Sequence, residues 1–286
     1  MTSPLALHHA FSVLPLELFL DVLDQLIGVG SDPPVAFEPS SSVTQTLRTL
    51  TLVSRSVYPI ASRYLYSHCL YLDNCTNYAH FRRTIGLNLV YHPQALEYGL
   101  ASRHELFEDT PRHITSAFIS PSKTDKDGKA MPLVRLPQII DLCSTIGRTL
   151  KRLALDFQPV YAVASEIELM RPHISENNIF LHMPQLEELI ASYDVLDYFS
   201  SPPPNLRLLA VTFQDLKDTQ IDFCFATSSL ETLFFLRSPE LVAADIDLIF
   251  SAYKGKSLDV VLVDVNSNHQ TPEGTRSWSD DDIVRI

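Results

Sequence analysis

The 286-residue chain is poor in glycine, cysteine and basic charge, and each shortage removes a class of function. Eight glycines in 286 is about 3%, where about 7% is usual. Phosphate-cradling loops need several glycines close together, yet nothing after Gly28-Val29-Gly30 completes such a fingerprint. Four cysteines, Cys69, Cys75, Cys143 and Cys224, are too few and too scattered for a disulfide framework or a zinc site of paired Cys-x-x-Cys spacing, so a reducing compartment is expected. Lys and Arg number 22 against 34 Asp and Glu, a net charge of −12 that repels a phosphate backbone and disfavours nucleic acid as a partner. Residues 1–10 carry no basic n-region. The longest apolar stretch, 13–27, is broken by Pro15, Glu17, Asp21, Asp24 and Gln25, which excludes a secretory signal or a bilayer span there. An intracellular location, cytoplasmic or nuclear, is expected, with no Lys/Arg-rich run to decide between them.

What remains is a globular composition, 45% hydrophobic and 20% charged, able to bury a core. The acidity is local: residues 1–80 carry −3, residues 81–153 carry +4 and residues 154–286 carry −13. A basic or neutral partner surface suits that last region, although an acidic exterior also serves solubility alone. Residues 14–27 predict a helix with Ser12 as N-cap and Pro15 in the first turn. Its leucines, valine, phenylalanine and isoleucine occupy more than one stripe, so something besides one core must cover it. A loop rich in Gly, Pro and Ser spans 28–42; further helices are predicted over 43–57, 60–71 and near 78–88.

The second half repeats. Against the leucine-rich template Leu-x-x-Leu-x-Leu-x-x-Asn-x-Leu, Leu150, Leu153 and Leu155 match, with Gln158 in the Asn slot. Leu186, Leu189 and Ala191 precede Asp194, and Leu206, Leu209 and Val211 precede Gln214. Weaker copies are Leu230, Leu233 and Phe235 before Ser238, and Leu258, Val261 and Val263 before Asn266. A polar side chain in that slot can satisfy backbone groups where a stacked chain turns. Helices are expected between strands at 160–170 and 240–253, and a further strand at 114–119. The pattern predicts a curved α/β solenoid with a parallel sheet. Residues between the template leucines face outward, placing Leu208, Phe234, Leu236 and Leu262 in one apolar target-binding patch. The other possibility is that these strands are buried on both faces.

Leu14-Pro15-Leu16-Glu17-Leu18-Phe19-Leu20, Leu47-Arg48-Thr49-Leu50-Thr51-Leu52-Val53-Ser54-Arg55 and Ala61-Ser62-Arg63-Tyr64-Leu65-Tyr66 resemble an F-box of the fungal type, a family often ending in degenerate leucine-rich repeats. Val57 stands where the family often has Trp, and the loop after the first helix is stretched, at a cost of only about 0.6 kcal/mol per doubling of length. The resemblance implies an α/β protein with a small helical F-box over 10–75 and an irregular leucine-rich-repeat-like solenoid over 76–286. It implies a non-catalytic substrate-recognition adaptor of an SCF-type cullin-RING ubiquitin ligase. Leu14, Pro15, Leu18, Leu47, Leu50, Leu52, Val53 and Ser54 would face the ligase's adaptor subunit, while the repeats hold a protein target. The alternative is a stand-alone repeat scaffold whose N-terminal helices serve as a cap.

Catalytic patterns are missing from the sequence. It contains no Gly-x-Ser-x-Gly elbow and no His-Glu-x-x-His, and its 10 histidines are scattered. His173 and His182 flank a loop and could meet, but read better as structural. Glu187-Glu188 and the pair Asp245 and Asp247 do not converge on one helical face. No catalytic residue, metal or cofactor is expected.

Overall fold

Leu23 and Ile27 stand one turn apart, and α1 (Leu16–Ile27) buries both. This helix opens the computed structural model, which describes residues 15–28, 30, 33–87, 110–122, 134, 136–156, 178–199, 201–212, 218–237, 253 and 257–264. Ser12 lies outside these residues; Pro15 occupies the N-cap position and its carbonyl accepts the Phe19 N–H at 3.1 Å. The helix ends at Gly28, whose φ of 75° is the left-handed conformation that a residue without Cβ adopts at least cost.

The second helix is shorter than the expected 43–57. α2 (Ser42–Leu50) is capped by Ser41, whose hydroxyl accepts the Val43 N–H at 3.3 Å. It tightens into a turn where Leu52 and Val53 donate to the carbonyls of Thr49 and Leu50. The Ser54 hydroxyl then accepts the Val57 N–H at 3.2 Å, a local bond that competes with helix continuation. α3 (Tyr58–His68) follows, with Pro59 in its first turn, where no N–H is needed. The predicted extension of this helix to residue 71 is corrected. The chain leaves the helix at His68 and enters β1 (Leu70–Asn74), because Leu70 and Leu72 alternate with half-buried neighbours and find a parallel strand to pair with.

The remaining elements are α4 (Cys75–Thr84), β2 (Ser116–Ser122), α5 (Leu136–Ile146), β3 (Arg152–Leu155), β4 (Glu188–Ala191), α6 (Tyr193–Tyr198), β5 (Leu208–Thr212), α7 (Asp218–Phe225), β6 (Thr232–Arg237) and β7 (Asp259–Asp264). Short 3-10 turns cover Thr110–His113, Gly147–Thr149 and Ile179–His182. The helices expected at 160–170 and 240–253 lie outside the described residues, as do Gln158, Gln214, Ser238 and Asn266. Asp194 falls within α6.

All seven described strands are parallel and stand in sequence order across one sheet. The fold is therefore α/β with a parallel sheet, each connection returning the chain to start the adjacent strand in the same direction. Alternate residues such as Leu72, Ile119, Leu153, Leu189, Leu209 and Leu233 enter one core with Tyr78 and Phe81 of α4, Leu142 and Ile146 of α5, Val195 of α6 and Phe223 of α7. The template leucines Leu150, Leu186, Leu206, Leu230 and Leu258 are all buried. Entry into successive strands repeats as well. The carbonyls of Thr115, Lys151, Glu187 and Arg207 each accept two consecutive N–H groups at the start of the next strand, whereas among the described residues the Glu231 carbonyl accepts that of Asp259 alone.

That irregularity marks a register change. β7 pairs Val260 with Leu233, Val261 with Phe234 and Leu262 with Phe235. Val260 packs against the core and Val261 is exposed, the reverse of the template reading. A slip of one residue exchanges the two faces of a strand.

Among the described residues, two sets of hydrogen bonds join the N-terminal helices to the sheet, beside Tyr66 of α3, which packs against the sheet's core. The Ser67 carbonyl at the end of α3 accepts the hydroxyls of Thr115 (3.0 Å) and Ser116 (2.6 Å), and the Ser67 hydroxyl donates to the His113 carbonyl at 2.6 Å. On β3, Arg152 donates to the carbonyls of Pro33 (2.9 Å) and Pro34 (3.3 Å) in the α1–α2 loop and, through Nε, to Glu188 at 2.6 Å.

The 3-10 turn at Gly147 touches the next one. A Cβ there would stand 2.8 Å from the His182 carbonyl oxygen, so Gly147→Ala must displace backbone. We expect a loss of about 1–3 kcal/mol in urea unfolding. An unchanged midpoint would show that the Ile179–His182 turn yields freely.

Candidate functional site

The three N-terminal helices make a small core of their own. Leu23, Ile27 and Leu47 are buried, with Phe19, Leu26, Phe37, Val43, Leu50, Ile60, Tyr64 and Leu65 packed around them. The Tyr64 hydroxyl donates to Asp24 at 2.6 Å and ties α3 to α1. Burial, followed by that bond and the Asp24 charge, pushes the Tyr64 phenol up to about 12. One turn on, burial holds His68 below its ordinary value, against the pull of Asp24.

With this core filled, a second set of apolar side chains is left outside it. Leu16, Leu18 and Val22 of α1 are 52%, 50% and 56% exposed, and Leu52 in the α2–α3 turn is 86% exposed. Val53, next in sequence, and Tyr58, the first residue of α3, are also exposed. Leu18 and Val22 are one turn apart, so they share a face of α1 away from Leu23 and Ile27.

Among the residues expected to dock, Pro15, Leu18, Leu52 and Val53 are exposed. Leu14 lies outside the described residues. Leu50 is half-buried against the helical core, and half-buried Ser54 engages Val57 and Ser56. Leu47 is a correction: at 0% exposure it belongs to the helices' own core, since it falls on the face of α2 shared with Thr44. Leu16, Val22 and Tyr58 are exposed as well, although the resemblance does not single them out. Val22 was legible as the residue four after Leu18; Tyr58 stands at the start of α3 and carries no such spacing signal.

Three of the four residues expected to meet a target stand on the sheet's other face. Leu208, Phe234 and Leu236 are half-buried and stand on this face. Leu262 is corrected by the register of β7: it pairs with buried Phe235, and Val261 takes the outward register beside Phe234. Pairing also gives a row that spacing did not reveal, Tyr71, Phe118, Ala154, Ile190, Ala210, Phe234 and Val261, one residue from each strand. Tyr71 and Phe118 stack with centroids 4.3 Å apart. Ala154 and Ala210 are buried and the larger members half-buried or exposed, so the expectation of strands buried throughout on both faces does not hold here.

Among the described residues, no group of three or more His, Cys, Asp or Glu is placed to hold a metal. His182 is exposed, and His173 lies outside the described residues. Cys143 and Cys224 are wholly buried, which pushes both thiols up to about 12 and away from the reactive thiolate. No described helix is long and apolar enough to cross a membrane. The chain matches no protein-family model, and no curated protein matches it.

Two predictions separate the core from the exposed set. Leu47→Ala should cost about 2–5 kcal/mol in urea unfolding, whereas Leu52→Asp should stay within about 0.5 kcal/mol of the parent. Equal losses would place Leu52 in a core. For Tyr64, the unfolded chain releases the phenolic proton near 10.0 and the folded chain keeps it to about 12. Its contribution is therefore complete below pH 10.0 and is lost as pH rises toward 12. Tyr64→Phe should flatten that part of the alkaline stability profile; an unaltered slope would assign the loss to other groups.

Proposed function

We propose that the chain is a non-catalytic substrate-recognition adaptor of an SCF-type cullin-RING ubiquitin ligase. In this reading residues 10–75 form an F-box-like unit, and residues 76–286 form a degenerate leucine-rich-repeat-like solenoid that holds a protein target. The observation that carries it is the doubled apolar surface of the N-terminal helices: Leu23, Ile27 and Leu47 fill their own core while Leu18, Val22, Leu52 and Val53 face outward. Apolar anchors at helical spacing fit a partner's groove. The sequential order of parallel strands and the five buried template leucines support the repeat reading. The target would meet Leu208, Phe234, Leu236 and Val261 on the outward face of the sheet. Ubiquitin transfer would belong to other subunits.

The alternative, a stand-alone repeat scaffold capped by these helices, has one observation in its favour: α3 is bonded to the sheet through Ser67. A cap would also bury Leu18 and Val53, and both are exposed.

The test is capture of the purified adaptor subunit by the full chain. We expect Leu18→Ala combined with Leu52→Ala to weaken binding at least about tenfold, the loss of roughly 1.4 kcal/mol that truncating central anchors produces, with unchanged melting. Failure of the folded parent to bind would remove the ligase reading.

A further inference from the structure

The charges around the exposed apolar residues are sorted by segment. α1 contains Glu17, Asp21 and Asp24 and no basic residue. Residues 42–63, spanning α2, the turn and the start of α3, contain Arg48, Arg55 and Arg63 and no acidic residue. Asp24 is occupied by the Tyr64 hydroxyl, but Glu17, Asp21 and all three arginines are exposed.

Their placement relates them to the apolar anchors. Glu17 and Asp21 are four apart, as are Leu18 and Val22, so an acidic strip runs beside the apolar strip along α1. Arg48 precedes Leu52 by four residues, and Arg55 follows Val53 by two. Among the described residues none of these five exposed charges forms an ion pair; the three ion pairs are Arg82–Asp141, Arg152–Glu188 and Arg207–Glu231, all outside the helical unit. The helix dipoles favour Glu17 in the first turn of α1 and Arg48 in the last turn of α2, but they do not account for Asp21 and Arg55, which lie outside those turns. An apolar surface with negative charge along one part and positive charge along another has a polarity, and a complementary partner meets it in one direction only.

We infer that these helices dock in a single orientation on a partner groove that is itself charge-sorted. Basic side chains would face Glu17 and Asp21, and acidic side chains would face Arg48 and Arg55. The inference rests on the docking reading above and commits to its partner, the ligase adaptor subunit. The apolar anchors supply adhesion, while the sorted rim governs approach and rejects the reversed arrangement. Rim charges of this kind act on the association rate and its salt dependence more than on dissociation.

The experiment measures association of the full chain with the purified adaptor subunit at about 0.01 M and about 1 M salt, where the screening length falls from roughly 30 to 3 Å. Arg48→Glu with Arg55→Glu, and separately Glu17→Lys with Asp21→Lys, should each slow association about tenfold at low salt. Both deficits should vanish at high salt, with dissociation little changed. The pairs lie on different elements and all four residues are exposed, so melting curves verify each fold; the inference requires both pairs to slow association, and a parental rate for either one overturns it. If the parent binds and Leu18→Ala with Leu52→Ala weakens it, but either charge pair associates at the parental rate in low salt, the orientation inference is overturned and docking stands. If the folded parent does not bind, the docking reading fails first and this one with it.

Discussion

The carbonyl of Ser67 is the point on which the architecture turns. It ends α3 inside the protein, where an unmatched helix-terminal acceptor would cost about 1–3 kcal/mol, and it is met by the hydroxyls of Thr115 and Ser116 at the entrance to β2. The Ser67 hydroxyl returns a bond to His113. With the helix end satisfied by the neighbouring strand, the chain can leave helical geometry within two residues and run as β1 beside β2. Helical unit and sheet are thereby joined by short hydrogen bonds rather than by a linker.

From β1 onward the same step recurs. A buried leucine precedes each of β3 to β7, and from Thr115 to Arg207 each entrance carbonyl accepts two N–H groups at the start of the next strand. The repeated acceptor holds adjacent strands in one register, so residues spaced by two fall on one face throughout β3 to β6. Among the described residues, the helices α4 to α7 pack into the core on one face, and the larger side chains in the row on the other face are half-buried or exposed. Alanine at Ala154 and Ala210 keeps the middle of that face shallow, while aromatic residues stand toward both sides.

The parts legible in the sequence were those governed by local periodicity. Leu150, Leu153 and Leu155, and their counterparts through Phe235, could be placed inward because the spacing is itself the packing pattern. Leu262 could not: the chain between Leu258 and β7 is one residue shorter than between Leu230 and β6, and only pairing with β6 reveals it. β1 was obscured because Leu70 to Leu72 continues a helical run without a Gly or Pro break, and its strand geometry depends on a partner 47 positions away, Leu70 pairing with Ala117. Leu47 failed differently. A resemblance supplies residue types at motif positions, but the face of α2 that points inward is set by where α1 and α3 lie, and Leu47 falls on that face.

Arg152 carries the last step of the argument. From the outward face of β3 it grips the carbonyls of Pro33 and Pro34, in the loop whose length departs from the F-box pattern, while Glu188 on β4 balances its charge. This loop is therefore a second hydrogen-bonded attachment between the helices and the sheet, apart from Ser67. With the packing of Tyr66 against the sheet's core, hydrogen bonds at two separated places resist rotation of the helices against the sheet. In the proposed adaptor, this holds the docking helices in a fixed direction relative to the target face. The stretched loop, an irregularity when only the sequence is considered, then has a mechanical role in setting how a target would be presented.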